Sequence, residues 1–175
     1  AMRDFQAEIE KSHFKFGRFS IPTFFKAHWV TSRQDRLLKS ASEHMLAILN
    51  KVVHLTLNEA AFHDFFHLTP KEKELMEIDP GYSQAVVIAR FDSFLEGESL
   101  KFIELNTDSP AGMAYSDLLE DALFHSAMLR EFVEGHHLRH EWRAKKLLET
   151  LLQVYDEFGG HEKPHIAIVD WRTVK

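Results

Sequence analysis

Four polar side chains interrupt two otherwise apolar segments near the middle of the chain. Arg90 and Asp92 lie in the first segment, and Glu104 and Asn106 lie in the second. Because successive side chains of a strand point to opposite faces, the two members of each pair share a face. Carboxylate and amide oxygens suit Mg²⁺, which often binds through one or two carboxylates together with substrate phosphates. Asp92, Glu104 and Asn106 are therefore candidate metal ligands, and Arg90 is a candidate donor to a phosphate or carboxylate.

A predicted β-hairpin positions these side chains. Residues 86–95 and 100–107 are rich in β-branched and aromatic side chains, which is typical of strands. Between them, residues 96–99 (EGES) predict a short turn that contains glycine. A polar group buried in such strands without a partner costs a few kcal/mol, so we expect each of the four to have a partner.

The polar residues of the hairpin also follow a recognisable order. Arg-x-Asp, a turn and then Glu-x-Asn-x-Asp-Ser-Pro resembles the metal-binding hairpin of glutathionylspermidine synthase and the related circularly permuted ATP-grasp ligases. Residues 103–107 (IELNT) also resemble the corresponding strand of eukaryotic glutathione synthetase. The resemblance extends over residues 83–117, with a weaker similarity near the C-terminus.

The resemblance implies an activity and a role for each residue. These ligases use ATP to activate a small-molecule acid as an acyl phosphate, which an amine then attacks. By resemblance, Asp92, Glu104 and Asn106 hold Mg²⁺ on the ATP phosphates, and Arg90 faces the reacting groups. Ser109, in the loop after the second strand, is implied as a contact of the bound cofactor or substrate.

The resemblance also implies that these 175 residues hold only part of such an enzyme. The sequence contains no Walker A loop and no G-x-G-x-x-G motif, so the residues that grip ATP are expected elsewhere. Residues 165–170 (HIAIVD) predict an apolar strand, which in the resembling ligases opens a Rossmann-like substrate domain. We therefore expect an N-terminal piece of a longer protein, in which both Mg²⁺ and ATP need the remaining part.

Other interpretations of the same residues remain open. Arg90 and Asp92 also fit a surface ion pair, and Glu104 and Asn106 also fit the solvated face of an antiparallel sheet. The protein would then be a helical binding or scaffold module without catalysis. Two histidines four residues apart in residues 63–67 (HDFFH) have the spacing of a helical zinc site, but the sequence lacks the glutamate of zinc proteases.

Composition excludes several classes of protein. The net charge of −6 argues against a nucleic-acid-binding surface, and the absence of cysteine excludes disulfides and thiolate metal sites. No apolar run approaches the length of a membrane span, and no signal-peptide pattern begins the chain. We expect a cytoplasmic protein with small-molecule partners, and the oligomeric state stays open.

The hydrophobic pattern predicts an α+β fold that is mainly helical, with the hairpin packed against two long helices. The predicted organisation is an N-terminal helical region over residues 1–82, the hairpin and its loop over 83–117, a helical region over 118–160, and the first strand of a Rossmann-like domain over 161–175. The predicted helices lie at residues 3–16, 33–58, 59–67, 70–78, 115–124, 127–133 and 139–158.

Overall fold

The computed structural model describes residues 5, 9, 14–16, 19–23, 26–127 and 129–170. The described part is α+β and mainly helical, as predicted, with six helices and two antiparallel two-stranded sheets. The elements in chain order are β1 (Lys15–Phe16), β2 (Phe19–Ser20), α1 (Ser32–Asn58), α2 (Ala60–Phe65), α3 (Pro70–Met76), β3 (Arg90–Glu96), β4 (Ser99–Asn106), α4 (Met113–Phe124), α5 (Arg130–Gly135) and α6 (Arg143–Glu157).

The chain divides into two compact units. Unit 1 comprises Ala1–His28, Ala111–Glu149 and His165–Lys175, and unit 2 comprises Trp29–Pro110 and Thr150–Pro164. Helix α6 is continuous and contributes its N-terminal part to unit 1 and its C-terminal part to unit 2. The predicted metal-binding hairpin therefore lies within unit 2.

Unit 1 has a small apolar core. Three buried side chains form its centre, and the Phe14 ring meets the Tyr115 ring edge-on with centroids 5.4 Å apart. The side chain of Ile21, which directly follows β2, and the apolar side chains on one face of α4 pack around this centre. This packing stabilises α4, because a short helix is only marginally stable by itself. The buried residues are Phe5, Ile9 and Phe14, and those packed against them are Ile21, Tyr115, Leu118, Leu119, Ala122 and Leu123.

Two helices of unit 2 begin with capping boxes. The Thr31 hydroxyl accepts from the Gln34 backbone N–H at 3.3 Å, and the Gln34 side chain accepts from the Thr31 backbone N–H at 3.0 Å. Thr69 and Glu72 repeat this arrangement at the start of α3. Each box satisfies backbone N–H groups that have no partner inside the helix, so these starts follow from local sequence.

The β3–β4 hairpin has a two-residue loop. Gly97 begins this loop with φ of +59°, as type II′ turns require glycine at that position. Contacts from α1 fasten the turn: Gln34 Nε2 donates to the Gly97 carbonyl at 3.0 Å, and the Arg33 guanidinium donates to Glu98. The predicted packing of the hairpin against the two long helices is not confirmed: these contacts from α1 are polar and lie at the turn, and the Phe94 and Ile103 side chains are 70% and 60% exposed.

Because Gly97 has a left-handed φ, we expect Gly97→Ala to lower the free energy of unfolding by about 1 kcal/mol. A Cβ at this position would meet no atom within 4 Å, so the cost is conformational rather than steric. Urea-induced unfolding of the purified chain measures it. Gly135→Ala is the matched control, because Gly135 ends helix α5 in open space and alanine favours helix. Equal stability of both variants would contradict the turn assignment.

The strand predicted at residues 165–170 is wrong for this structure. These residues form no ladder with any described segment, and Ile168 and Val169 are 95% and 93% exposed. A strand is defined by hydrogen bonds to a neighbour, and apolar composition alone does not supply one. The remaining residues of the predicted 161–175 domain, 171–175, lie outside the described residues.

Two further predictions need correction or restriction. The helix predicted at residues 3–16 lies largely outside the described residues, and its end is wrong because Lys15–Phe16 pair with Phe19–Ser20 as strands. The helix predicted at 59–67 is separate from α1, because Glu59 adopts an extended conformation with φ of −128° between the two. In the described part of the chain, we find no helix with the length and apolar character needed to cross a membrane.

Candidate functional site

The register of the hairpin brings the four predicted residues together. Arg90 lies directly opposite Asn106, and Asp92 lies directly opposite Glu104. Directly opposite side chains of an antiparallel pair have Cβ atoms about 5 Å apart, and residues two apart along a strand share a face. The four side chains therefore form one patch at the open end of the hairpin.

A β-bulge separates this patch from the rest of the hairpin. The register shifts between Asp92 and Ser93, so that Ile103 is an extra residue of β4. The bulge places Phe102 on the face of Phe91, and the two rings meet edge-on with centroids 5.4 Å apart. Without the extra residue, Phe102 would share the face of Glu104, so the bulge keeps the Phe102 ring off the face of the polar patch.

Each polar residue of the patch has a partner within it, as predicted. Arg90 Nε donates to Asp92 Oδ1 at 3.0 Å, and Asn106 Nδ2 donates to Glu104 Oε1 at 3.1 Å. The patch is accessible to solvent, since the Arg90 and Asp92 side chains are 42% and 40% exposed. The Arg90–Asp92 pair therefore contributes at most about 1 kcal/mol to stability.

The patch holds two carboxylates at directly opposite positions and one guanidinium. Asp92 and Glu104 carry like charges on directly opposite positions, which destabilises a hairpin. Arg90 offsets part of this repulsion through Asp92. A divalent cation between the carboxylates would offset more of it, because it interacts favourably with both.

The oxygen atoms of the patch are of the kind that Mg²⁺ binds, and they are enough for part of its coordination shell. Two carboxylates and the Asn106 side-chain carbonyl offer hard oxygens, and the amide nitrogen of Asn106 is already directed at Glu104. No group of three or more His, Asp or Glu side chains suited to a metal ion occurs among the described residues. Mg²⁺ on this patch would therefore need phosphate oxygens and waters for its remaining positions.

Ser109 lies in the loop that follows β4. Its hydroxyl donates to Asp108 Oδ1 at 3.4 Å, and its backbone has a left-handed φ of +45°. This conformation is uncommon for a residue other than glycine and costs about 1 kcal/mol or more. Such conformations occur often at ligand-binding loops, and the role expected of Ser109 stays a prediction.

The structure does not support the helical zinc alternative. Helix α2 ends at Phe65, and His67 lies beyond it with a left-handed φ of +54°, so the two histidines do not share a helical face. The His63 Nε2 atom lies 2.7 Å from the Thr56 carbonyl oxygen, which occupies this ring nitrogen.

Unit 1 contains a polar cluster that sequence reasoning missed. The Asp117 carboxylate is buried and accepts hydrogen bonds from the backbone N–H groups of Arg143 and Ala144 at 3.0 and 2.9 Å. The Arg143 guanidinium donates to Asp117 at 3.2 Å and to Glu120 at 2.5 Å. Asp117 thus caps the start of α6 from another helix, a role that favours an anion. An aspartate inside an apolar helix was the available signal.

The hydrogen bonds of this cluster determine the ionisation of Asp117. Burial acts to raise the pKa of its carboxyl group, but the N–H groups of Ala144 and Arg143 and the guanidinium outweigh burial and lower the pKa. The hydrogen bond to Glu120 raises the pKa of Arg143 in turn. The cluster is therefore an ionised structural joint between α4 and α6, within unit 1.

Comparison of this chain with protein-family models, with characterised proteins and with solved structures finds no match in any of the three. The residues of the hairpin and their spacing are therefore the observations that bear on function.

Proposed function

We propose that this chain carries the metal-binding hairpin of an ATP-dependent carboxylate–amine ligase that forms an acyl phosphate intermediate. The observation that supports the proposal is the register, which sets Asp92 opposite Glu104 and Arg90 opposite Asn106 on one accessible face. Like charges at directly opposite positions of a hairpin are unfavourable, so this arrangement favours a cation that interacts with both carboxylates.

The four residues divide two tasks in the proposed reaction. Asp92, Glu104 and Asn106 would hold Mg²⁺, which neutralises charge on the transferring phosphoryl group when bound. Arg90 presents a planar guanidinium that matches the oxygens of a carboxylate or phosphate, and it would orient the acid for attack on the γ-phosphorus. Its present bond to Asp92 keeps the guanidinium at the patch.

The acyl phosphate and the amine require further parts. Transfer of the γ-phosphoryl group joins a carboxylate oxygen to phosphorus and releases ADP, and attack by the amine on the acyl carbon then releases phosphate. The proposal expects the glycine-rich loop, lysines and additional acidic ligands of such ligases in sequence beyond these 175 residues. A gene that encodes none of them would remove the main support.

The competing candidate is a non-catalytic helical binding or scaffold module. The exposure of Arg90 and Asp92 favours this reading, because an ion pair on the solvated face of a hairpin needs no function. The two candidates differ in one measurable property, which is dependence of ATP binding on the carboxylates of the patch.

Titration calorimetry of Mg²⁺·ATP tests the proposal. We expect the 175-residue chain alone to bind Mg²⁺·ATP weakly and to be catalytically silent, because two carboxylates and an amide hold Mg²⁺ poorly without donors for the phosphates. In the complete gene product we expect binding that Glu104→Ala abolishes.

Two outcomes would count against this account. Tight, stoichiometric binding by the 175-residue chain would show a complete site and contradict the expectation that further sequence is needed. Binding by the complete gene product that Glu104→Ala leaves unchanged would favour the scaffold reading. Glu96→Ala serves as the matched control, because Glu96 lies at the other end of the same hairpin, opposite Ser99.

A further inference from the structure

Helix α6 exposes most of the apolar face that a helix of this kind usually buries. Leu148, Leu151 and Leu152 are spaced three and four residues apart and are 46%, 38% and 42% exposed. Tyr155 continues the same stripe at the next helical position and is half-buried. An amphipathic helix in a protein gains most of its stability by burying such a stripe against another element. In α6 much of this apolar surface remains exposed to solvent.

The charges of α6 are distributed against its own dipole. Lys145 and Lys146 lie in its first turn and Asp156 and Glu157 in its last, with no acidic residue in the first turn and no basic residue in the last. The macrodipole favours the opposite order, with anions near the N-terminus and cations near the C-terminus. Asp117 offsets this at the N-terminus, but nothing within the helix offsets it at the C-terminus.

An antiparallel helix of the same sequence would satisfy both features. We propose that α6 pairs with α6 of a second copy of this chain, in antiparallel orientation, around a two-fold axis near Leu151. The basic first turn of each helix then lies beside the acidic last turn of its partner, and the two dipoles oppose each other. A parallel pair would instead place like charges side by side.

The spacing of the charges specifies where the axis passes. Lys145 and Asp156 are eleven residues, about three helical turns, apart, so they lie on one flank of the leucine stripe. In an antiparallel two-fold pair each flank of the helix lies beside the same flank of the partner helix. The contact between Lys145 of one copy and Asp156 of the other therefore occurs twice in the dimer. Leu151 lies six residues after Lys145 and five before Asp156, which places it next to the axis.

The existing contacts of these residues are compatible with pairing. The Lys145 side chain is 74% exposed and its Nζ atom lies 4.0 Å from Glu149, a distance that leaves it able to reach a partner. Glu157 accepts a hydrogen bond from the Ser83 backbone N–H, so the proposed ion pair uses Asp156. The leucine stripe and the charged flank beside it are both complementary to themselves in antiparallel orientation. The binding partner they favour is therefore a second copy of this chain and not a different protein.

Sedimentation equilibrium of charge variants tests the pairing. We expect the chain to dimerise reversibly, and Lys145→Glu alone to weaken the dimer about tenfold, because both symmetric pairs become repulsive. Lys145→Glu combined with Asp156→Lys should restore the dimer, since the opposite charges meet again. Lys51→Glu, which reverses an exposed lysine on α1, is the matched control and should change nothing.

Cysteine cross-linking tests the orientation, since the chain has no native cysteine. We expect a short bis-maleimide to link Leu151→Cys chains, and to link Lys145→Cys with Asp156→Cys in a mixture. Lys145→Cys chains should not link to one another, because in the antiparallel pair they are separated by about 16 Å along the helix.

A chain that stays monomeric at all concentrations, or a double charge variant that does not recover, would overturn the proposal. Efficient linking of Lys145→Cys chains to one another would show a parallel pair and would overturn it equally. Circular dichroism of each variant verifies that the helix is intact, and the double charge variant keeps the test decisive if Leu151→Cys folds poorly.

Discussion

On the function proposed above, Glu104→Gln is expected to lower the turnover of the full-length protein about 10³-fold while leaving the fold intact. The substitution keeps the size of the side chain and removes the negative charge that holds Mg²⁺ against the transferring phosphoryl group. Asp92→Asn is expected to act similarly, because Asp92 lies directly opposite Glu104 in the hairpin. Steady-state formation of ADP in the presence of acid and amine measures the loss.

The stability of these variants separates catalysis from folding. Removing one of two opposed carboxylates relieves repulsion, so we expect Glu104→Gln to unfold at the same urea concentration as the parent chain or a higher one. Glu96→Gln provides the control, since it removes one charge from the same hairpin at a distance from the patch. Turnover that survives Glu104→Gln would eliminate the ligase mechanism proposed for this hairpin.

Asp117→Asn is expected to destabilise the protein by about 2–3 kcal/mol, the largest structural effect we predict. The variant removes a buried carboxylate that accepts from two backbone N–H groups at the start of α6 and from the Arg143 guanidinium. In the variant, the partly exposed Arg143 side chain is hydrated by water in place of Asp117. The loss of stability is therefore smaller than for a fully buried ion pair. Urea unfolding monitored by far-ultraviolet circular dichroism measures the difference.

The same interaction should depend on pH in a defined direction. The pKa of Asp117 in the folded protein lies below its ordinary value of 3.8, because its hydrogen bonds outweigh the effect of burial. A carboxyl group with a lowered folded pKa stabilises the protein fully above its unfolded pKa, and this contribution disappears as the pH falls through the folded pKa. The stability difference between the parent and Asp117→Asn should therefore be constant near neutral pH and shrink below about pH 4.

Asp64→Asn is the control for both measurements, because Asp64 is an exposed aspartate on α2. We expect it to change the free energy of unfolding by less than about 0.5 kcal/mol at either pH. A destabilisation by Asp117→Asn that persists unchanged in acid would contradict the assignment of an ionised cap.

Much of the candidate site was predictable because its signals are local. The two-residue periodicity of a strand placed Arg90 with Asp92 and Glu104 with Asn106, and a glycine in the turn located the hairpin. Which residue of one strand faces which residue of the other was not predictable from these patterns. The bulge at Ile103 changes the alternation, so only the observed register showed that Asp92 opposes Glu104.

The sequence by itself indicated the hairpin and the approximate positions of the helices, because capping boxes, hydrophobic periodicity and turn glycines act over a few residues. It did not fix every helix boundary, since the last long helix begins at Arg143 and not at residue 139. The tertiary structure alone decided the interactions that join distant segments. Asp117 caps a helix that starts 26 residues later in the chain, and such a hydrogen bond leaves no mark in local sequence. Residues 165–170 show the converse, since their apolar composition is typical of a strand but they pair with none of the described strands.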